Sequence, residues 1–287
     1  MLINVIISLG NKVVIGKIRY SIVHKHRVLI LLIFLFNFYP IESSSQINIL
    51  GKPGYILTPS SRWDPICPAG IIGMAYIPRD HAIKQFYGDY YEEVMIHGTV
   101  DFSSFIRMTF NLAYIPEVSD RMGLGDRHFD VSLRLLKEKR YLPSLTLIIT
   151  PPIGVSDPLT YNLAVASKQI GWNNKNQLEV SAGYGLKVRY LDGNNTIGLK
   201  AGFYNRQELN EHYLNGFFAG FRYMPLEFIG LTAEYDSRDY NGGVFFTLAK
   251  KFTLQFTAYD FKRFGGMIHL QLPLNVKNRE LRRYEKD

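Results

Sequence analysis

The fold is decided by the stretch Gln177-Leu178-Glu179-Val180-Ser181-Ala182-Gly183-Tyr184-Gly185-Leu186-Lys187-Val188. Hydrophobic residues occupy every second position from Leu178 to Val188, and polar residues or glycines stand between them. Successive side chains of a β-strand point to opposite faces, whereas a helix repeats its apolar residues every three or four positions. Residues 176–189 are therefore predicted to form a strand with one apolar face and one polar face.

The same alternation recurs along most of the chain, for example from Ile106 to Tyr114 and from Phe252 to Ala258. Turn-forming stretches such as Asp192-Gly193-Asn194-Asn195 separate many of the alternating segments. The pattern predicts strands at residues 70–78, 91–100, 104–115, 127–137, 143–150, 160–170, 176–189, 196–204, 212–223, 226–236, 239–248, 252–260 and 264–272. Many of these segments are as long as the tilted strands that cross a bilayer.

Two architectures fit such strands. In a soluble β-sandwich or lipocalin-like barrel the apolar face points inward, and in an outer-membrane barrel it points to lipid. The polar face is rich in glycine, at Gly183, Gly185, Gly198, Gly202, Gly216, Gly220 and Gly230. Glycine weakens a strand that faces water, but it suits a narrow lumen that cannot hold a large side chain at every position. We therefore predict an all-β, antiparallel transmembrane barrel of the outer-membrane type, with about 12–14 strands, over residues 70–274.

The N-terminal region has the pattern of an export signal. The basic stretch His24-Lys25-His26-Arg27 precedes the apolar run from Val28 to Phe36, and small residues follow at Ser43-Ser44-Ser45. This order predicts that residues 1–45 are a cleavable signal peptide with an N-terminal extension, and that the protein reaches the outer membrane of a Gram-negative bacterium. Residues 46–69 are predicted to be an extended lead-in at the periplasmic mouth, and residues 275–287 a charged C-terminal tail.

Composition excludes several functional classes. The mean hydropathy of −0.05 argues against a bundle of apolar membrane helices. The single cysteine, Cys67, excludes an intramolecular disulfide and a cysteine-based zinc site. The formal net charge of +8 is concentrated partly in residues 1–45, and what remains is too weak to indicate nucleic-acid binding. No cofactor is predicted.

Catalytic motifs are absent from the sequence. There is no Gly-x-Ser-x-Gly stretch, and the histidines lack a metal-ligand spacing such as His-x-x-x-His. His128, Asp130 and Ser132 share one strand face, but a catalytic triad usually draws its members from separate elements. A solvated polar cluster in the lumen is therefore the favoured explanation of the trio, and neither catalytic nor metal-binding residues are assigned.

Charged residues on the polar face are predicted to line the lumen. If the barrel is narrow they pair across the interior and close it, and if it is wider they line a polar pore. An inward excess of basic groups would suit an acidic polysaccharide. The predicted lumen set is Arg107, His128, Asp130, Arg134, Lys168, Glu179, Lys187, Arg189, Lys200, Arg222, Glu234 and Asp236.

Four blocks of the sequence carry a resemblance to a known family. They are residues 51–62, which begin Gly51-Lys52-Pro53-Gly54-Tyr55; residues 125–145, with Gly125-Asp126-Arg127-His128-Phe129-Asp130 and Arg140-Tyr141-Leu142-Pro143; residues 161–168; and Ala233-Glu234-Tyr235-Asp236. In this order the blocks resemble the YjbH family of outer-membrane proteins associated with exopolysaccharide and capsule production. The resemblance implies an outer-membrane β-barrel that serves polysaccharide export or assembly without catalysis.

The predicted function is a non-enzymatic outer-membrane component of exopolysaccharide or capsule secretion or assembly. Its expected partners are outer-membrane lipid, an acidic polysaccharide and other polysaccharide-export proteins, with no nucleic acid. Two alternatives remain open at this stage. One is a general small porin or structural barrel, and the other is an outer-membrane enzyme that uses His128, Asp130 and Ser132 for acid–base chemistry.

Overall fold

The computed structural model describes residues 46–62, 69–83, 85–86, 89–118, 126–151, 161–173, 176–191, 199–249 and 251–273. Twelve strands form one closed antiparallel barrel. They are β1 (Ala69–Ile77), β4 (Glu93–Asp101), β5 (Ile106–Tyr114), β6 (Asp126–Leu136), β7 (Ser144–Ile149), β8 (Asn162–Asn173), β9 (Asn176–Gly185), β12 (Gly216–Leu226), β13 (Ile229–Tyr235), β14 (Tyr240–Leu248), β15 (Phe252–Tyr259) and β16 (Arg263–Pro273).

Four further strands form two small hairpins outside the barrel wall: β2 (Gln85–Phe86) with β3 (Asp89–Tyr90), and β10 (Val188–Leu191) with β11 (Gly202–Asn205). A 3-10 turn spans Arg79–His81. Each barrel strand pairs with the barrel strand that precedes or follows it, and β1 closes the ring by pairing with both β16 and β4. Closure leaves no unpaired edge on the barrel, which is a requirement for a sheet in lipid.

The prediction of an antiparallel barrel with about 12–14 strands is confirmed. One predicted strand, 196–204, does not enter the wall. Its C-terminal part forms β11, which pairs with β10 in the hairpin, while β9 pairs directly with β12. Alternation alone could not exclude residues 196–204, because a hairpin outside the barrel has the same period of two as a wall strand.

The two faces of the wall have the polarity of a membrane barrel. Polar side chains such as Thr99, Thr109 and Gln255 are buried inside. Large apolar side chains lie exposed on the outer face, among them Ile72, Met74, Phe110, Phe217, Phe221, Leu231, Phe256 and Ile268. A continuous outer band of this kind is stable in lipid, whereas soluble monomers seldom expose such a surface to water.

The two ends of the barrel differ in their connections. At the end where β1 begins and β16 finishes, the connections are residues 102–105, 137–143, 174–175, 227–228 and 249–251. At the opposite end they include residues 78–92, 115–125, 150–161 and 186–215. Bacterial barrels place short turns on the periplasmic side and long loops outside the cell. This rule predicts that the long connections face the exterior of the cell.

The segment that precedes β1 differs from its prediction. Residues 46–61 are buried, and they lie inside the barrel instead of at its mouth. The physical reason is the width of the barrel: eight strands enclose just enough room for their own side chains, and twelve enclose more. We call residues 46–62 the plug.

No helix among the described residues has the length and apolarity needed to cross a bilayer. The predicted signal peptide at residues 1–45 and the predicted tail at residues 275–287 lie outside the described residues.

Candidate functional site

The plug is held by three carboxylates of the barrel wall, and the first is Asp130 on β6. Lys52 of the plug forms an ion pair with it, and both side chains are fully buried. Asp130 also accepts hydrogen bonds from Thr150 Oγ1 at 2.6 Å and from the Tyr161 hydroxyl at 3.0 Å, and its Oδ1 lies 2.6 Å from His128 Nε2. A buried carboxylate is tolerated when its oxygens are satisfied in this way.

The second carboxylate, Glu234 on β13, binds the plug through its backbone. The N–H groups of Ile56, Leu57 and Thr58 donate to the Glu234 carboxylate at 2.9, 2.8 and 2.9 Å. Asn241 Nδ2 donates a further bond at 3.1 Å. Three successive backbone donors that converge on one carboxylate form an anion-binding nest. The contact therefore depends on the backbone conformation of the plug.

The third carboxylate, Glu179 on β9, contacts both the plug and a neighbouring strand of the wall. It accepts hydrogen bonds from Ser60 Oγ at 2.6 Å and from the Tyr55 hydroxyl at 3.3 Å. Arg222 on β12 pairs with its other oxygen at 2.6 Å, and Arg62 lies at 3.8 Å. Glu179 therefore holds the C-terminal end of the plug, through hydroxyl donors and through the charge of Arg62.

Hydroxyl groups join the plug to the wall near the end of the barrel with short turns. Ser61 Oγ lies 2.6 Å from Ser144 Oγ and donates to the Ser144 carbonyl at 2.9 Å. The Ser61 N–H donates to Ser167 Oγ at 2.8 Å, and Thr146 Oγ1 donates to the Ser61 carbonyl at 3.2 Å. All four side chains are buried, so these short polar groups close the space between plug and wall.

Glycine provides the room that the plug occupies. A Cβ atom on Gly220 would lie 2.5 Å from the ring of Tyr55, so the absence of a side chain there admits the tyrosine. On the plug itself Gly51 has φ +72°, and a Cβ atom would lie 2.9 Å from both His97 and Thr109. Glycine is needed at position 220 because the tyrosine ring approaches closely. At position 51 it is needed for the same reason and also because the backbone is left-handed.

At the mouth with long connections, aromatic rings of the wall pack against the described part of the β9–β12 connection (residues 186–191 and 199–215). Tyr161 packs edge-on against His128 and Tyr213, with centroid distances of 5.6 and 5.5 Å. Burial raises the pKa of the Tyr213 hydroxyl well above its ordinary value. The Leu214 N–H donates to the Asp236 carbonyl at 3.0 Å, which ties this connection to the turn after β13.

A cavity of about 20 Å³ remains at this mouth, with Leu57 of the plug among its lining residues. His81, Asp236 and Asp239 also line it. Burial lowers the pKa of His81, and the Asp239 carboxylate, 3.5 Å from its Nδ1, opposes that shift. Burial raises the pKa of Asp236, while hydrogen bonds from the Asp239 N–H and the Asn241 amide oppose the change.

The structure places most predicted lumen residues inside the barrel. His128 contacts Asp130, and Asp130, Glu179 and Glu234 each contact the plug as described above. Arg107 is buried and pairs with Asp101, with Nη2 2.9 Å from Oδ2, a partner that the sequence did not indicate. The remaining positions are Arg134, half-buried on the inward register of β6, Arg222 on β12, and Asp236 in the buried turn after β13.

Four predicted lumen residues lie elsewhere. Lys168 shares the outward register of β8, where its ammonium donates to the Lys139 carbonyl and pairs with Glu138 at 3.2 Å. Lys187 and Lys200 are exposed in the β9–β12 connection. Arg189 is buried, but it lies in the β10–β11 hairpin. Lys168 lies on a wall strand but has the parity of its outer face. For Lys187, Arg189 and Lys200, the predicted strands were too long or were not wall strands, so their parity did not report on the lumen.

The predicted inward excess of basic groups is not what the structure shows. Among the strand positions whose side chains the structure describes, the inward carboxylates outnumber the inward guanidinium groups. The carboxylates are Glu93, Asp101, Asp130, Glu179 and Glu234, and the guanidinium groups are Arg107, Arg134 and Arg222. The balance differs from the prediction because Lys168, Lys187, Arg189 and Lys200 do not lie in the lumen.

The trio His128, Asp130 and Ser132 is only partly assembled. His128 contacts Asp130, but the Ser132 hydroxyl is buried without a hydrogen-bond partner among the described residues. Both side chains of the His128–Asp130 pair are fully withdrawn from solvent. A nucleophile must contact its base and a substrate must reach it, so this arrangement does not form an acid–base site of the triad kind.

The plug contacts were missed by reasoning from strand parity. Lys52, Tyr55, Ser60 and Ser61 lie in a segment without alternation, which carries no signal for the side on which it packs. Outside the lumen, the buried Glu211 was also missed: it pairs with Arg189 at 2.8 Å and with Arg206 at 3.2 Å in the β9–β12 connection. The one available signal was the set of sequence blocks on which the family resemblance rests.

The family model YjbH, described as "Exopolysaccharide biosynthesis protein YbjH", matches residues 46–251. The chain belongs to the YjbH family. Within this YjbH-family chain, residues from each of the four blocks meet in the lumen. Lys52 of the first contacts Asp130 of the second and lies over the ring of Tyr161 of the third, while Glu234 of the fourth binds the plug backbone.

Two outer-membrane proteins are among the solved structures that match this chain. An outer membrane channel from Pseudomonas putida F1 has 12% sequence identity and a TM-score of 0.39, and the match covers 74% of this YjbH-family chain and 98% of that chain. Outer membrane phospholipase A from Escherichia coli has 12% identity and a TM-score of 0.37, with the same coverage. No curated protein matches the sequence significantly.

Proposed function

We propose that this protein is a non-enzymatic outer-membrane component of exopolysaccharide or capsule secretion or assembly. Membership of the YjbH family, whose model is described by exopolysaccharide biosynthesis, supports a role with such polymers. The plug supports the proposal further, because the blocks that carry the family resemblance supply Lys52 of the plug and two of the three carboxylates that hold it, Asp130 and Glu234.

The chemistry of the lumen agrees with a transport or assembly role. The contacts between plug and wall are ion pairs, backbone-to-carboxylate bonds and hydroxyl pairs, with Asp130, Glu234 and Ser144 as examples on the wall. Polar groups of this kind can exchange a protein partner for water or for sugar hydroxyls, since a hydrogen bond between neutral groups contributes only about 0.5–1.5 kcal/mol net and one to a charged group about 1.5–3 kcal/mol. The buried His128–Asp130 pair serves in this proposal to bind Lys52.

Deletion of the gene in a polysaccharide-producing host tests the proposal. We expect the deletion strain to lose surface-attached polymer or to retain it in the periplasm, and plasmid-borne protein to restore the surface polymer. Quantification of total sugar in surface, medium and periplasmic fractions provides the measurement. Unchanged amounts in all three fractions would contradict a role in secretion or assembly.

Two variants separate an export component from an enzyme. His128→Ala removes the imidazole of the trio, and Ser132→Ala removes its hydroxyl. We expect Ser132→Ala to restore surface polymer fully in the deletion strain. A loss of polymer with Ser132→Ala, with normal amounts of folded barrel in the membrane, would favour the enzyme alternative instead.

A further inference from the structure

The barrel wall is complete without the plug. All twelve wall strands pair in a closed ring, and the backbone of the plug forms no strand of that ring. Backbone hydrogen bonds inside the plug hold it together, as from Asn48 to Lys52 at 2.6 Å, from Ile49 to Ile56 at 2.9 Å and from Ser60 to Pro53 at 2.6 Å. The plug can therefore leave as a folded unit without breaking a strand pair.

Departure of the plug changes the charge balance of the lumen. Asp130 loses Lys52, and Glu234 loses the three N–H donors of residues 56–58. Glu179 keeps Arg222, and Asp101 keeps Arg107, because these pairs lie within the wall. The lumen vacated by the plug then has an excess of carboxylates that face water.

We propose that the plug is a releasable gate and that the lumen it occupies is a latent cation-selective pathway. Rings of carboxylates favour cations in membrane pores, and the uncompensated groups here are Asp130 and Glu234. A barrel of twelve strands is wide enough to need filling by something other than its own side chains. The pathway is a property of the barrel itself and does not depend on the polysaccharide role proposed above.

A cysteine pair tests the gate directly. Ser61 on the plug and Ser144 on β7 have their Oγ atoms 2.6 Å apart, which suits a disulfide after substitution of both by cysteine. The background carries Cys67→Ser, and copper phenanthroline supplies the oxidant. In planar bilayers with a KCl gradient we expect the oxidised protein to be silent and the reduced protein to open. Equal conductance in the two states would overturn the gate.

Variants with a weakened plug test the selectivity. Lys52→Met and Tyr55→Ala each remove a plug contact and leave every wall charge in place. We expect both to conduct in the reduced or cysteine-free background, with a reversal potential on the side of the K⁺ equilibrium potential. Heat-modifiable migration on a gel verifies that each variant is folded, and the second variant serves if the first does not fold.

The wall charges provide the matched comparison. Addition of Asp130→Asn and Glu234→Gln to Tyr55→Ala is expected to lower the ratio of K⁺ to Cl⁻ permeability toward one. Addition of Asp260→Asn, at a partly exposed position in the β15–β16 connection, is expected to leave the ratio unchanged. Folded weakened-plug variants that stay silent, or that prefer Cl⁻, would overturn the proposal. Because no polysaccharide is present, these results are independent of the export assay.

Discussion

Lys52 of the plug and Asp130 of β6 form an ion pair in which both side chains are fully withdrawn from solvent. The pair joins an irregular segment to a wall strand across 78 positions of sequence. Removal of one partner from a buried pair leaves an uncompensated charge, which costs about 3–5 kcal/mol. A single substitution in this pair can therefore weaken the binding of the plug while the strand pairing of the barrel stays intact.

Lys52→Met should release the plug. In a Ser61→Cys background that also carries Cys67→Ser, we expect the rate of thiol labelling at residue 61 to rise by about a hundredfold or more, which corresponds to the cost of breaking a buried pair. The exposed ion pair between Lys262 and Asp260 provides the control, because Lys262→Met should leave the rate unchanged. Similar rates for the two variants would show that Lys52 does not hold the plug.

Gly220→Val should displace Tyr55. The added side chain meets the tyrosine ring, and overpacking of this kind costs about 1–3 kcal/mol of the free energy of unfolding. Urea unfolding in detergent measures the loss, and addition of Tyr55→Ala should recover part of it. Gly98→Val is the matched control, since a Cβ atom there meets no atom within 4 Å. An equal effect at both glycines would contradict the assigned contact.

Phe256→Arg tests the lipid-facing wall. Phe256 is 53% exposed near the middle of β15, and an arginine at the bilayer midplane costs about 2–4 kcal/mol. We expect that loss in urea unfolding from lipid vesicles. Phe203→Arg, in the β10–β11 hairpin outside the wall, should cost much less although Phe203 is 77% exposed. A larger loss of the free energy of unfolding for Phe203→Arg than for Phe256→Arg would place the membrane elsewhere on the molecule.

Thiol labelling of intact cells tests the orientation of the barrel. With Cys67→Ser as background, Lys187→Cys and Lys200→Cys in the β9–β12 connection should react with a membrane-impermeant reagent added outside. Lys139→Cys, in the β6–β7 turn at the other end, should react only after the outer membrane is permeabilised. External labelling of residue 139 alone would invert the orientation that the connection lengths predict.

Glu211→Gln should loosen the β9–β12 connection. The carboxylate pairs with the buried Arg189 and Arg206, and hydrogen bonds to charged groups contribute about 1.5–3 kcal/mol each. We expect protease to cut between residues 186 and 215 at least tenfold faster, as measured by the appearance of fragments on a gel. Glu208→Gln, at an exposed position of the same connection, should leave the cleavage rate unchanged.

Strand parity allowed the barrel to be predicted from sequence. Alternation sends one set of side chains to lipid and the other to the lumen, so the inward positions of Arg107, Asp130, Glu179, Arg222 and Glu234 follow from position along a strand. The same rule misplaced Lys187 and Lys200, because it was applied to segments that lie outside the wall.

What the sequence determined by itself is local: the period of two, the polarity of each face and the glycines of the polar face, from which a barrel in a membrane could be predicted. The tertiary structure alone decided that residues 46–62 enter the lumen and that Lys52 meets Asp130. An irregular segment has no period from which its side of packing can be inferred, and its partners are set by strands that only barrel closure brings together. For that reason, the segment that fills the lumen is decided by the closed ring of strands and not by any single strand.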